Sequence, residues 1–231
     1  MAEGAQHFLD HFKDPQAVAR YAEGPRRFVP GFDALHRMTG ILLAERVPEK
    51  AHILVLGAGG GLEMKAMADA YPHWTFTGVD PAGEMLRLAA RTMGDQADRA
   101  TLVEGLIDDA PPGPFDGATC LLTLHFLERE ERIRTAAEIR ARLKPGAPFV
   151  AAHGSFPQGP GERDRWLDRY ASYAIASGAE REATANARAA VAAHVAMLRP
   201  EDDEAVLRAA GFHGVEQFYA AFTWRGWVGY A

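Results

Sequence analysis

The sequence predicts an α/β fold, a doubly wound sheet of seven strands, mostly parallel, with a C-terminal antiparallel hairpin. Three observations carry this. From residue 52 onward, apolar runs of strand length alternate with segments of helical periodicity. The first run, Ile53-Leu54-Val55-Leu56, opens directly into Gly57-Ala58-Gly59-Gly60-Gly61. The second, Trp74-Thr75-Phe76-Thr77-Gly78-Val79, is closed by an acid, Asp80, 23 positions after Gly57. Such alternation gives parallel strands joined by right-handed crossovers, helices on both faces, and a ligand over the carboxyl ends of the strands.

Each element follows in order. Residues 1–48 are helical in pattern around Val18 and Tyr21 and again around Leu35, Met38, Ile41, Leu42 and Leu43, with Pro25 and Pro30 between, and read as a lid beside the site. A core over 49–154 begins with the first strand and a helix from Leu62 to Ala70. After Asp80, Met85, Leu86, Leu88, Ala89 and Met93 recur at helical spacing, and Thr101-Leu102-Val103 is a third strand. Pro111-Pro112-Gly113-Pro114 is a loop leading into a central strand from Phe115 to Leu124. A charged amphipathic helix, Glu128 to Leu143, is stopped by Lys144-Pro145-Gly146 before a strand over Ala147 to Ala152. Residues 155–212 form an Ala-rich helical insertion and a last helix, broken at Arg199-Pro200, placed to cap the site. Residues 213–231 hold two adjacent strands, Val215 to Phe222 and Thr223 to Tyr230, expected as the hairpin.

Bulk properties narrow the function. The 231 residues, 48% of them hydrophobic, suffice for one domain with a sizeable core. The longest apolar runs are strand-sized and the first residues lack signal-peptide character, so no membrane span and a cytoplasmic location are expected. A single cysteine, Cys120, excludes an internal disulfide and a cysteine-based zinc cage. The nine histidines are dispersed; only His7 and His11 have i, i+4 spacing, without a third ligand nearby, so no metal is expected. A net charge of −6 argues against broad nucleic-acid binding and favours a small-molecule substrate.

The glycines specify the ligand. A strand ending in glycines and feeding a helix lets the backbone approach a ligand closely and offers helix N-terminal N–H groups to a polar or anionic group. Asp80, at the tip of the next strand, is placed to accept both hydroxyl protons of a ribose. A dinucleotide fingerprint would need glycine at 62, where Leu62 stands; the glycines fall instead at 57, 59 and 61. Joined to Asp80-Pro81, to Met85 and to the order of elements, this Gly-x-Gly-x-Gly pattern resembles the class I S-adenosylmethionine-dependent methyltransferases, whose sheet is Rossmann-like.

The resemblance implies S-adenosylmethionine as cofactor, a methyl transfer and a small-molecule acceptor. It places Gly57, Ala58 and Gly59 along the methionine part, Asp80 on the ribose, and Pro81 and Met85 beside the adenosine. It places Leu106 and Ile107 along the adenine and Leu122 near the sulfonium. Two polar anchors of the family are replaced: an acid two positions before the first glycine is Val55, and an adenine-reading Asp after Gly105 is Leu106. Asp108 or Asp109 could stand in for the second, and backbone carbonyls for the first. These departures also motivate a non-catalytic nucleoside-binding protein as a different reading.

A narrower likeness spans most of the chain. Val29-Pro30-Gly31-Phe32, Leu42-Leu43-Ala44-Glu45-Arg46, Thr123-Leu124-His125-Phe126-Leu127-Glu128 and Ala210-Gly211-Phe212 resemble the carboxy-S-adenosylmethionine synthases. This implies a homodimer and, as an alternative, a carboxylated cofactor with its carboxylate on Arg188; Phe32, at the substrate, replaces a tyrosine of those proteins.

His125, after the central strand, is the candidate catalytic base, since a neutral imidazole can accept a proton from a nucleophile; a hydrogen-bonded structural histidine is the competing reading. His153, ending the next strand, has the same claim as a substrate contact. Arg188 could equally be a solvated helix residue. Trp224 and Trp227, three apart on the last strand, face opposite ways, which suggests core or subunit contacts.

Overall fold

A computed structural model of the chain describes Phe12, Val18 and residues 24–231. The lid residues His7, His11 and Tyr21 lie outside the described residues. The chain runs α1 (Gly24–Phe28), α2 (Phe32–Ala44), β1 (His52–Leu56), α3 (Leu62–Ala70), β2 (Thr75–Asp80), α4 (Gly83–Met93) and β3 (Ala100–Glu104). It continues with β4 (Gly117–Leu121), α5 (Arg129–Ala141), β5 (Pro148–Gly154), α6 (Glu162–Ala176), α7 (Arg181–His194), α8 (Pro200–Ala209), β6 (His213–Ala221) and β7 (Trp224–Tyr230).

The seven strands form one sheet in the order β3-β2-β1-β4-β5-β7-β6. Strands β1 to β5 pair in parallel, whereas β7 lies antiparallel between β5 and β6, which is the expected hairpin. From β1 the chain winds toward β3, and from β4 it winds the other way. The two halves part between β1 and β4, where a doubly wound sheet opens a crevice at the carboxyl ends of its strands.

Alternation along β1 divides the core. Ile53 and Val55 face a cluster with Leu35 and Leu43 of α2, Met64 and Met67 of α3, and Leu86 of α4. Leu54 and Leu56 face the opposite cluster with Ile139 of α5, Leu207 of α8 and Phe149. Burial on both faces explains why this strand reads as a continuous apolar run. Trp224 joins the first cluster and Trp227 the second, so the pair does lie on opposite faces.

Two of the departures from the expected boundaries have a visible cause. The central strand ends at Leu121 rather than Leu124, because Leu122 adopts a left-handed φ of 56° and Leu124–Phe126 tightens into a 3-10 turn. The helical insertion breaks at Gly178 as well as at 195–199, giving α6, α7 and α8 as separate helices.

Arg132 of α5 ties the second layer together. Its guanidinium is fully buried, donates to Asp203 of α8 at 2.6 Å, and also donates to the carbonyls of His125, Leu127 and Ala196. Removing one member of such a pair strands the other charge in a dry interior. Arg132→Met is therefore expected to lose about 3–5 kcal/mol in urea unfolding, and adding Asp203→Leu to recover much of that loss.

Candidate active site

The crevice at the parting of β1 and β4 is a cavity of about 390 Å³. Its lining includes Gly57, Ala58, Gly59, Asp80, Pro81, Met85, Leu106, Ile107, Leu122, Phe32 and His125, so eleven residues singled out in the sequence converge on one space.

The glycine turn is built by amides that point inward. Gly57 and Ala58 both donate to the Val79 carbonyl, at 2.8 and 3.0 Å, and Gly59 donates to Asp80 Oδ2 at 2.9 Å. The Ala82 amide donates to Asp80 Oδ1 at 2.9 Å. Those three turn amides are thus engaged within the protein, and the amides at the start of α3 follow after them. Gly57 is required twice over: its φ is 74°, and a Cβ there would meet Thr123 Oγ1 at 2.1 Å. Burial raises the Asp80 pKa against its two amide bonds, and each oxygen keeps acceptor capacity for a hydroxyl.

Beside the turn, Glu63 of α3 also lines the cavity, and sequence reasoning passed over it. It is 7% exposed and accepts a short hydrogen bond from the Thr119 hydroxyl of β4. Burial pushes its pKa up to about 8, with the Thr119 bond opposing. The helix places it there by period: Glu63 shares the buried face of α3 with Met64, Met67 and Ala68.

The other end of the cavity is aromatic. Phe28 stacks obliquely on Tyr170 of α6 at 5.0 Å, Phe32 meets His36 edge-on at 4.3 Å, and Trp224 closes on His125 at 5.7 Å. Burial lowers the His36 pKa to about 4, Asp33 opposing. Trp224 Nε1 donates to the Phe28 carbonyl at 2.9 Å and Tyr219 donates to the Pro30 carbonyl, so the terminal hairpin pins the α1–α2 corner over the site.

His125 occupies the cavity wall, but its chemistry differs from that expected. The Gly154 amide donates to its Nδ1 at 3.2 Å. Burial, together with His153 and Arg132, drives its pKa well below the usual histidine value, so the ring is neutral. A neutral ring accepting at Nδ1 carries its proton on Nε2. His125 is therefore arranged as a hydrogen-bond donor, and its lone pair is already engaged.

Two expected substrate contacts do not line the cavity. His153 sits on the opposite face of β5, with Nε2 3.1 Å from Asp203 and its ring 5.2 Å from Trp227. Strand parity explains this, since Ala152 and Gly154 alternate with it toward the cavity side. Arg188 is held by Asp168 and Asp164 of α6, at 2.8 and 3.4 Å, where it braces α7 against α6. Nor do the two acids proposed to read an adenine reach it. Asp109 accepts from the Leu106 amide at 2.8 Å, and Asp108 pairs with Arg134 at 2.9 Å. Among the described residues no group of three or more His, Cys, Asp or Glu is placed to hold a metal ion, and no helix is long and apolar enough to cross a membrane.

Comparison with known proteins agrees with this geometry. Residues 53–146 match the sequence profile of a methyltransferase domain. Carboxy-S-adenosyl-L-methionine synthase of Chromohalobacter salexigens is 29% identical over 71% of this chain and 63% of its own length. The synthase of Staphylococcus epidermidis is 22% identical over 94% of both chains. Among solved structures, human N-acetylserotonin methyltransferase in complex with SAM superposes with a TM-score of 0.64 at 14% identity, covering 96% of this chain and 58% of that one. The chain thus spans less than two thirds of the first of these synthases and of the human enzyme. Residues 53–146 thus form a methyltransferase domain, and the chain is a distant relative of the carboxy-S-adenosylmethionine synthases.

Two outcomes are expected from the titratable groups. The raised pKa of Glu63 means that the folded state holds a proton the unfolded state releases between pH 4.5 and about 8. Stability from this group is intact below pH 4.5 and is lost as the pH rises to 8. Glu63→Gln should therefore stabilise the ligand-free protein by about 3 kcal/mol at pH 7 and by nothing at pH 4, read by urea unfolding. For His125, ¹⁵N NMR of histidine-labelled protein should show a neutral, Nε2-protonated ring from pH 5.5 to 8; a titration centred near 6.5 would contradict the assignment.

Proposed function

We propose that the protein transfers a methyl group from S-adenosylmethionine to a small, mainly apolar acceptor. The observation that carries this is the turn itself: the amides of Gly57, Ala58 and Gly59 are taken up by Val79 and Asp80 while the Asp80 carboxylate stays on the cavity wall. A phosphate finds those three amides already engaged and the Asp80 carboxylate beside them, whereas a ribose finds an acceptor.

When bound, the cofactor supplies an electrophilic methyl group on a sulfonium. The chain's part is alignment and exclusion of water. Asp80 holds the ribose hydroxyls, Gly57, Ala58 and Gly59 bound the tail, and Pro81, Met85, Leu106 and Ile107 enclose the base. Leu122 sits toward the acceptor, where Phe32, Phe28, Tyr170 and Trp224 give flat apolar walls. His125 donates from Nε2 to a polar atom of the acceptor and fixes its orientation. The acceptor's own proton leaves by another route, because the only lone pair of the neutral ring is taken by Gly154.

The named relatives favour a second reading, in which the bound cofactor is a carboxylated derivative. Arg188, the residue meant to hold that carboxylate, is engaged by two aspartates outside the cavity lining, which weighs toward methyl transfer. Native mass spectrometry of the purified protein separates the two by the mass of the retained cofactor and reports the oligomeric state as well, a homodimer being the expectation.

Calorimetry tests the leading reading. S-adenosylhomocysteine should bind, its 2′-deoxy analogue about tenfold or more weakly because one Asp80 bond is lost, and NAD not at all. Binding of NAD would overturn the cofactor reading, and equal affinity for the two nucleosides would remove Asp80 from its role.

A further inference from the structure

We infer that Glu63 is the anionic anchor for the ammonium group of the cofactor's amino-acid tail, acting from α3 in place of an acid on β1. This rests on the cofactor reading above and adds a residue that the sequence pattern does not point to.

Register makes the argument. Val55 of β1 lies directly across from Thr119 of β4 in the parallel ladder, so both side chains leave the same face of the sheet. Glu63 descends from α3 onto that face and accepts from the Thr119 hydroxyl. Its carboxyl therefore sits beside the spot that a carboxylate borne by residue 55 would occupy. An acid at 55 would bring two like charges together in a dry site, so Val55 and Glu63 are compatible where two acids would not be. The apolar Val55 is thus one half of an exchange, with the charge moved across to α3.

The surroundings of Glu63 call for a cation. It is a cavity-lining side chain more than nine-tenths buried, and among the described residues its electrostatics contain no Lys, Arg or His partner, only burial and the Thr119 bond. Of the titratable groups around it, Cys120 of β4 is held as a thiol by burial and by Glu63 itself. Asp80 lies across the glycine turn, and His36 of α2, with a pKa of about 4, is uncharged at neutral pH. Left without a cation, Glu63 retains a proton near neutral pH. An ammonium beside it would favour the carboxylate and release that proton.

Two ligands that differ only in the tail test this: S-adenosylhomocysteine, which has the ammonium, and 5′-methylthioadenosine, which lacks it. At pH 7 Glu63→Gln should weaken S-adenosylhomocysteine about tenfold or more while leaving 5′-methylthioadenosine within twofold of wild type, by calorimetry. The second ligand also reports that the variant is folded. Titrations in two buffers of different ionisation enthalpy should show proton release when wild type binds S-adenosylhomocysteine, and none with 5′-methylthioadenosine or with the variant. If both affinities fall together, or neither changes, Glu63 is not the anchor although the cofactor reading stands. If neither ligand binds wild type, the cofactor reading fails and the anchor with it.

Discussion

The site depends on how the Val79 carbonyl and the Asp80 carboxylate take up the amides of Gly57, Ala58 and Gly59. Those bonds couple the end of β1 to the end of β2 and fold the glycine turn back on the sheet. The turn sets the first residues of α3, and hence the direction from which Glu63 reaches Thr119. The same carboxylate that fixes the turn faces the cavity, so under the proposed function scaffold and ligand share one group. A carboxylate with two amide donors is ordered before any ligand arrives, which spares binding the cost of fixing it. Gly57 is indispensable for the same reason, since any side chain at its φ of 74° would run into Thr123.

The molecule treats buried polarity differently on its two faces. Behind the sheet, Arg132 and Asp203 neutralise each other and gather three backbone carbonyls, a network that fastens α5, α8 and the segment after α7. Burial opposes ionisation of Asp203, and His153 and Arg132 outweigh it, so its pKa is lowered. On the cavity face, Glu63 and Asp80 have their pKa values raised and His36 and His125 have theirs lowered. All four are pushed toward neutrality, because burial outweighs the opposing hydrogen bonds of the two acids and the counter-charge that Asp33 gives His36 and Asp203 gives His125. A fold under selection for stability alone would replace such groups with apolar ones; their retention around one cavity is the electrostatic signature of a ligand site.

Much of this was legible in the sequence. The sequence of strands and helices, the glycine turn and Asp80 follow from local spacing, because a strand-turn-helix unit is determined within roughly thirty residues; the cavity-lining Pro81, Met85, Ile107 and Leu122 came from the family resemblance. Glu63 was within reach too: it falls on the apolar face that Met64, Met67 and Ala68 define, and an acid on such a face is a signal. His153 was misjudged because its place at a strand end was weighed without its parity. Arg188 was misjudged for a different reason. Its partners Asp164 and Asp168 lie on another helix, and no sequence period links α7 to α6. The tautomer of His125 depends on an amide 29 residues away, at Gly154, which only the sheet brings close.

The two ends of the cavity are also built by different rules. The end at the glycine turn, where the proposed function seats the nucleoside, comes from strand tips of the parallel sheet, whose positions are coupled through the ladder, so few substitutions leave it intact. The aromatic end is assembled from Phe28, Phe32, Tyr170 and Trp224, which belong to three separate stretches of chain. They are held by the bonds from Trp224 and Tyr219 to the carbonyls of Phe28 and Pro30. Those bonds reach main-chain carbonyls, which survive any change of side chain at 28 or 30. The corner over the site can therefore change its walls without changing its position. Under the proposed function, acceptor preference is in this way free to vary over a fixed cofactor seat, in segments where spacing alone carries little information.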